Sequence, residues 1–401
     1  MMFDSIDEGQ LFQRARELRR HLHQYPELSG EERETAELVS RVLVDAGLEV
    51  TTGIGGYGVL GVLKGKQTSP VIALRADMDA LPITEATGAD FASTKQGVMH
   101  ACGHDAHTAM LLTAAEELAK YKEEIDGTVL FVFQPAEEDA PVGGAAKMLE
   151  EGVFQMYPPD AVFAQHVWPD LPVGTFGVQS GPVMGNSDRF RIVINGAGGH
   201  ASMPHQGVDA IVAATQITQA LQTIVSRNTD PQDAAVITVG KLEAGERYNV
   251  IPREAVLEGT VRTLDDEVKE NVKARFHQVV TSTAEALGTE ASINYMDGYP
   301  ATVNDPEFTD VIKNAITHSY GQEALPDVRP SLGGEDFGRF LQHYPGVYYW
   351  LGITDPSVKK PKPLHDPSFH IEEEALLYGV KQFMHTVEWS LDALQRKGEN
   401  V

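Results

Sequence analysis

The chain's only cysteine, Cys102, stands in GVMHACGHDAHTA (residues 97–109), two residues before His104, with Asp105 and His107 close behind. A thiol in that company is a nucleophile, a metal ligand or a small buried side chain. A nucleophilic cysteine needs a base and an oxyanion hole, and no glycine-rich elbow surrounds this one. A metal site explains more. Thiolate and imidazole suit zinc and its borderline-soft neighbours, and Gly103 lets a tight turn aim both side chains at one point. Two ligands do not complete a site. Glu138 and His166, beside strand ends, and His365, in the proline-rich loop PLHDPSFH, are the candidates for the remainder.

The stretch QPAEE sharpens this reading. Two adjacent carboxylates, Glu137 and Glu138, cost electrostatic energy unless a cation offsets them. Neighbouring side chains point in different directions, so one carboxylate binds metal while the other faces a water and acts as general base. Taken alone, the pair is equally a solvated acidic turn.

These residues need a scaffold. The segments DEGQLFQRARELRRHLHQYPE, EERETAELVSRVLVDAGLEV and HTAMLLTAAEELAKY carry helical spacing. The short apolar runs GVLGVLKG, PVIALRAD, GTVLFVFQPAEE and DAVFAQHVW read as buried strands. Strands alternating with helices predict an α/β domain with a parallel or mixed sheet, and ligands of such sheets bind beyond the carboxyl ends of the strands. Asp77, Asp79, Glu137, Glu138 and His166 all fall at or just past such ends. From about residue 187 to 298 the pattern changes to β-α-β-β-α-β, a ferredoxin-like arrangement, and α/β texture returns after it. The expected organisation is a catalytic domain, 1–186 and 299–401, interrupted by an inserted domain, 187–298.

Composition sets the bounds. The sequence has 401 residues, 42% of them hydrophobic, enough for more than one core. Lys and Arg number 32 against 58 Asp and Glu, a net charge of −26 that repels nucleic acid and anionic lipid. A single cysteine excludes an intrachain disulfide. No run reaches the ~18 apolar residues of a membrane helix and no signal-peptide core opens the chain, so the cytoplasm is the expected compartment.

The stretches RADMDALP, MHACGHDAHTAMLL, FQPAEE, GGHASMPHQGVDAI, ERYNVIP, GTVRTL and GGEDFGRF…LHDPSFHI follow one another along the chain. In that order they resemble the aminoacylase/carboxypeptidase family of metallohydrolases. The likeness is nearest to its branch of hippurate hydrolases, N-acyl-amino-acid amidohydrolases and auxin-conjugate hydrolases, and it runs from about residue 15 to 390. The resemblance implies a zinc-peptidase-like catalytic domain with an inserted ferredoxin-like dimerisation or lid domain, and a homodimer. It implies two divalent ions per subunit, zinc first, with manganese, cobalt or nickel as alternatives. Cys102 takes the bridging position, usually Asp in the wider family, and His104, Glu138, His166 and His365 supply the other ligands. Glu137 takes the general-base position and Asp79 that of the supporting Asp. Asp77 stands where the wider family has a His ligand, a change this branch shares. His200 resembles the histidine that stabilises the oxyanion, often across a dimer. Asn249 and Arg262 resemble residues holding the substrate's carbonyl or carboxylate, and the stretch SLGGEDF around Gly334 resembles a glycine-rich active-site loop whose backbone can approach substrate closely. His107 is one helical turn from His104, in place to support a ligand; His21, His23, His205 and His370 are read as structural.

The activity implied is hydrolysis of the amide of a small N-acyl-amino acid. A dipeptidase, a catalytically silent binding protein of the same fold and a thiol hydrolase using Cys102 are the competing readings.

Overall fold

The structure, a computed structural model, describes residues 6–399. The chain forms two compact units. One runs to Val183 and resumes over Val303–Arg329 and from Asp336 onward; the other comprises Met184–Thr302 with Pro330–Glu335.

The first unit is built on a mixed sheet. Among the described residues its strand order is Glu49–Ile54, Gly58–Lys64, Thr128–Gln134, Val71–Asp77, Ala161–Pro172, Gly346–Thr354 and Phe176–Gly177. Thr128–Gln134, Val71–Asp77, Ala161–Pro172 and Gly346–Thr354 run parallel to one another, and the flanking strands are antiparallel. Every residue of Val71–Asp77 and Thr128–Gln134 is buried, which is why these strands read as mostly apolar runs, broken by Arg75 and polar end residues, rather than as alternating ones. The helix His104–Lys120 packs against Glu8–Gln24 and Glu374–Glu399 and is buried on nearly every side. Met110, Leu111 and Leu118 join Phe131, Phe163, Tyr349 and Phe383 in one core.

This sheet sets the positions of the chemistry. Asp77 pairs with Gln134 in register, so the segments carrying Asp79 and Glu137–Glu138 leave neighbouring parallel strands at the same level. His166 differs from expectation. It lies inside Ala161–Pro172, whose pairing with Gly346–Thr354 continues to Pro172. Pairing with Val71–Asp77, however, stops at Ala164, so His166 stands beyond the sheet on that side.

The second unit has an antiparallel sheet in the order Ala235–Ala244, Glu254–Thr263, Asp188–Asn195 and Glu290–Met296. Asp188–Asn195 alternates, turning Phe190, Ile192 and Ile194 inward, as a sheet covered on one face requires. The helices Ala210–Thr223 and Asp266–Ala286 cover that face through Ala213, Ile217, Leu221, Phe276 and Val280. Each opens on an aspartate, Asp209 or Asp265, whose side chain accepts backbone N–H groups of the first turn. Pro330–Glu335 joins this unit through bonds such as Gly185 N–H to the Gly333 carbonyl at 3.0 Å. Gly334 therefore groups with Arg262 rather than with the C-terminal part of the catalytic domain. Among the described residues no helix is long and apolar enough to cross a membrane.

Candidate active site

The first unit gathers Cys102, His104, Glu137, Glu138, His166 and His365 into one continuous cluster. Cys102, His104 and His166 offer ligand atoms within 4.8 Å of one another, as do Cys102, Glu138 and His365, and as do His104, Glu137 and Glu138. These groups come from a turn, a helix start, a strand end, a strand interior and a distant loop.

The turn is fixed by sterics. Gly103 opens the helix His104–Lys120 at φ +87°, and a Cβ there would lie 2.4 Å from Val167 Cγ2. His365 also sits in the left-handed region, at φ +68°. Its N–H donates to the Ala101 carbonyl at 2.8 Å, which holds the loop beside Cys102. Its Nε2 is 3.1 Å from Glu138 Oε1, although that oxygen makes no aligned hydrogen bond.

Hydrogen bonds assign the ring nitrogens. His166 Nδ1 lies 2.7 Å from the Val167 carbonyl, an acceptor, so Nδ1 carries the proton. Burial, with His107 and His104 nearby, holds His166 far below the usual imidazole range. Its ring is neutral, and the Nε2 lone pair faces Cys102 Sγ at 3.5 Å. His104 Nδ1 lies 2.9 Å from the Asp79 carbonyl and 3.2 Å from Asp79 Oδ1, which leaves Nε2 buried and without a hydrogen-bond partner. Burial opposes charge on His104, but Asp77, Asp79 and Glu138 outweigh it and push the ring up to about 10. In both histidines an oxygen holds Nδ1 and Nε2 is turned into the cluster, the arrangement that orients metal-ligating imidazoles; the metal-free His104 ring is charged, so its Nε2 would release a proton when an ion binds.

His107 is different. Its Nδ1 lies 2.6 Å from Asp77 Oδ1, and its Nε2 accepts the Val167 N–H at 2.9 Å. Both nitrogens are engaged, so it ties Asp77 to Val167, although it also stands with Asp77 and His104 in a group whose ligand atoms lie within 4.8 Å of one another. Asp77 is engaged as well, by His107 on one oxygen and by Arg75 Nη1 at 2.5 Å on the other. Burial alone would raise its pKa; His104, Arg75 and His107 hold it well below the ordinary carboxylate range. Arg75 in turn bonds Gln134 and Asp336 at 2.9 Å each. The spacing from His104 points to His107 as a supporting residue, and Asp77 is marked by its strand end; Arg75, which joins them, is not singled out by the sequence, and its only signal is an arginine inside an otherwise apolar strand.

Cys102 is buried, and burial followed by the Glu138, Glu137 and Asp77 charges pushes its thiol well up. Reactive cysteines sit in electropositive surroundings; this one is surrounded by carboxylates, which speaks against a thiol nucleophile.

The second unit holds the other expected site residues. His200 is exposed, and its Nδ1 accepts the Ser202 N–H at 3.2 Å with Ser202 Oγ at 2.8 Å. The Nε2 therefore carries the proton. His200 pairs with Val250 across a two-residue ladder, and the Asn249 carbonyl accepts the Ala201 N–H at 3.2 Å, which brings His200 and Asn249 together. The Asn249 Oδ1 is buried without a partner. Arg262 bonds Thr260 Oγ1 through Nε at 3.1 Å, and among the described residues no carboxylate lies within ion-pair distance of it. A Cβ on Gly334 would lie 3.1 Å from Arg262 Nη1, so a side chain there would press on the guanidinium.

A mixed α/β sheet carrying a buried thiol–imidazole–carboxylate cluster defines a metallohydrolase. The chain belongs to the peptidase family M20/M25/M40, whose model matches residues 73–389. It is 44% identical to an N-acetyl-L-cysteine deacetylase of Bacillus subtilis (strain 168), over 90% of this chain and 84% of that protein. It is 40% identical to thermostable carboxypeptidase 1 of Saccharolobus solfataricus, over 91% of this chain and 92% of that one. Among solved structures it resembles the YXEP protein of Bacillus subtilis, described as a dinuclear metal-binding peptidase of the M20 family. That match has a TM-score of 0.84 and 37% identity, and covers 96% of this chain and 99% of the other.

Proposed function

We propose that this protein is a metal-dependent amidohydrolase that cleaves the amide of small N-acyl-amino acids, of N-acetyl or N-benzoyl type, giving a carboxylate and a free amino acid. The observation that carries the reading is the donor set around Cys102, with the buried His104 Nε2, which no hydrogen bond engages and which lies 3.7 Å from Asp77 Oδ2, at its centre. Its thiol, imidazoles and carboxylates fit borderline divalent ions, and the excess of acidic groups needs a cation to offset it. Cys102, His104, Glu138, His166 and His365 would hold two such ions, zinc first, with manganese, cobalt or nickel as alternatives.

When bound, a divalent ion polarises an amide carbonyl and lowers the pKa of a water from about 15.7 towards about 7. Glu137, buried beside His104 and Glu138, takes a proton from the attacking water. The water oxygen bonds to the amide carbon, and as the C–N bond breaks Glu137 returns the proton to the departing amine. Asp79 holds the Nδ1–H of His104 and so fixes the orientation of the ring. The protonated Nε2 of His200 suits donation to the oxyanion, and Asn249 suits the substrate carbonyl. The unpaired guanidinium of Arg262, with Gly334 leaving it bare, suits a free carboxylate through forked hydrogen bonds. The strand Ala235–Ala244 is an edge with exposed Val236 and Leu242, which supports a homodimer that covers it.

The carboxypeptidase relative favours one competing reading, peptide hydrolysis at the same site. The test strips the purified protein of metal with a chelator, reloads it with zinc, manganese, cobalt or nickel, and assays N-acetyl-amino acids, N-benzoyl-amino acids and dipeptides. Activity is expected to vanish on stripping, return with metal, and favour the N-acyl substrates. Faster dipeptide turnover would make it a peptidase, and activity indifferent to chelation would end the metal account.

A further inference from the structure

The segment PELSGEE, residues 26–32, contains a carboxylate, Glu32, that is 0% exposed. It lies at the start of the helix Arg33–Asp45 but does not cap it with its side chain. Its Oε1 instead accepts the Gly30 N–H at 2.9 Å and the Ala136 N–H at 2.8 Å, the second across 104 positions of sequence. Its Oε2 is buried and has no hydrogen-bond partner. A carboxylate held this way is costly to desolvate, and a core without a further task would fill the space with an apolar side chain. Burial, with the Asp79 charge beside it, pushes Glu32 up to about 7.

What Glu32 holds is the residue before the proposed base. Ala136 has φ +54°, a left-handed conformation that is unfavourable for a non-glycine residue. Both of its backbone polar groups are tied: the N–H to Glu32, the carbonyl to the Gly144 N–H at 3.0 Å. On the other side of Glu137, the Glu138 N–H donates to Asp79 Oδ2 at 2.9 Å, and the same oxygen accepts the Ser29 hydroxyl at 2.6 Å. Leu28 bridges Ala80, and the Ala80 N–H donates to the Glu27 carbonyl at 2.7 Å. One turn therefore reaches both anchors that straddle Glu137.

We infer that Glu32 and Ser29 are positioning residues for the reaction: Glu32 clamps the strained Ala136 peptide, Ser29 clamps Asp79, and together they fix the backbone on either side of Glu137. This rests on Glu137 being the general base. Misplacing a reacting group by about 1 Å costs on the order of 100-fold in rate, so kcat is the sensitive quantity. A glutamine at position 32 keeps an acceptor for the two N–H groups; an alanine does not.

The test compares Glu32→Gln, Glu32→Ala and Ser29→Ala in the metal-loaded protein. Readouts are kcat and KM separately, metal content, thermal midpoint, and hydrogen exchange of the peptide spanning Ala136–Glu138. Glu32→Ala is expected to lower kcat ~10- to 100-fold with KM and metal content close to wild type and faster exchange at Ala136. Glu32→Gln is expected to recover most of kcat and of the exchange protection. Should Glu32→Ala fail to fold, Ser29→Ala carries the test, with a smaller fall in kcat and faster exchange at Glu138. Unchanged kcat in the folded, metal-loaded variants overturns the inference, as does a loss that merely follows metal content. Failure of the amidohydrolase reading is distinguishable: wild type would then be inactive on every amide while Glu32→Ala still changed exchange at Ala136.

Discussion

Imidazoles in this molecule take different roles because of the atoms that meet their two nitrogens. His104 and His166 give Nδ1 to oxygens and keep Nε2; His107 spends both. His23 takes a further role. Its Nδ1 lies 2.8 Å from Asp105 Oδ2 and its Nε2 3.3 Å from Glu85 Oε1. Burial lowers its pKa, yet Asp105 and Glu85 outweigh burial and the Arg19 charge and lift it to about 9. A histidine raised in the folded state contributes stability that is fully present below its unfolded value, near 6.5, and lost as pH rises through about 9. The midpoint of chemical denaturation should therefore fall between pH 6.5 and 9.5, and fall less in His23→Gln. Equal slopes in the two proteins would contradict the assignment. The sequence named Cys102, His104, Glu137 and Glu138 because chemistry-bearing types crowd short motifs. It separated His104 from His107 only through the resemblance and the one-turn spacing, since the atoms that engage both nitrogens of His107, on Asp77 and Val167, lie far away in the chain. Glu32 was invisible for the same reason: a glutamate in an acidic loop looks solvated until Ala136 is found beside it.

At the scale of elements, strand ends place the acids and one helix start places the thiol and imidazole. The parallel strands and the buried helix were legible as apolar runs and helical spacing. The continuation of Ala161–Pro172 past His166 was not, because it depends on pairing with Gly346–Thr354, far along the chain. The Cys-Gly-His turn is the tightest coupling of element to site. Gly103→Ala forces a side chain into the left-handed region, at roughly 1–2 kcal/mol, and into Val167 Cγ2 at 2.4 Å. The expected outcome is a lower thermal midpoint in the metal-free protein and weaker zinc binding, because Cys102 and His104 flank the moved residue. Calorimetry and zinc titration check both. Zinc affinity at the wild-type level in Gly103→Ala would mean that this turn does not set the ligand geometry.

At the scale of the whole molecule, every proposed metal ligand lies in the first unit, and each unit has its own core. A ligand that binds only the folded form stabilises what it touches. Adding zinc to the metal-free protein should slow hydrogen exchange in the helix His104–Lys120 and the strand Ala161–Pro172. Exchange in Asp188–Asn195 and Glu254–Thr263 should be unchanged. Slowing confined to the second unit would place the metal elsewhere.

In the proposed reaction the neighbouring carboxylates divide the work, Glu138 holding metal and Glu137 moving a proton. Glu137→Gln keeps the shape and hydrogen-bonding reach of the side chain but cannot take the proton. Turnover of an N-acetyl-amino acid and metal content, measured on the same sample of this variant, test the claim most directly. The predicted result is a loss of at least ~100-fold in turnover with wild-type metal content. Turnover near wild type, or loss of metal alongside loss of activity, would contradict it.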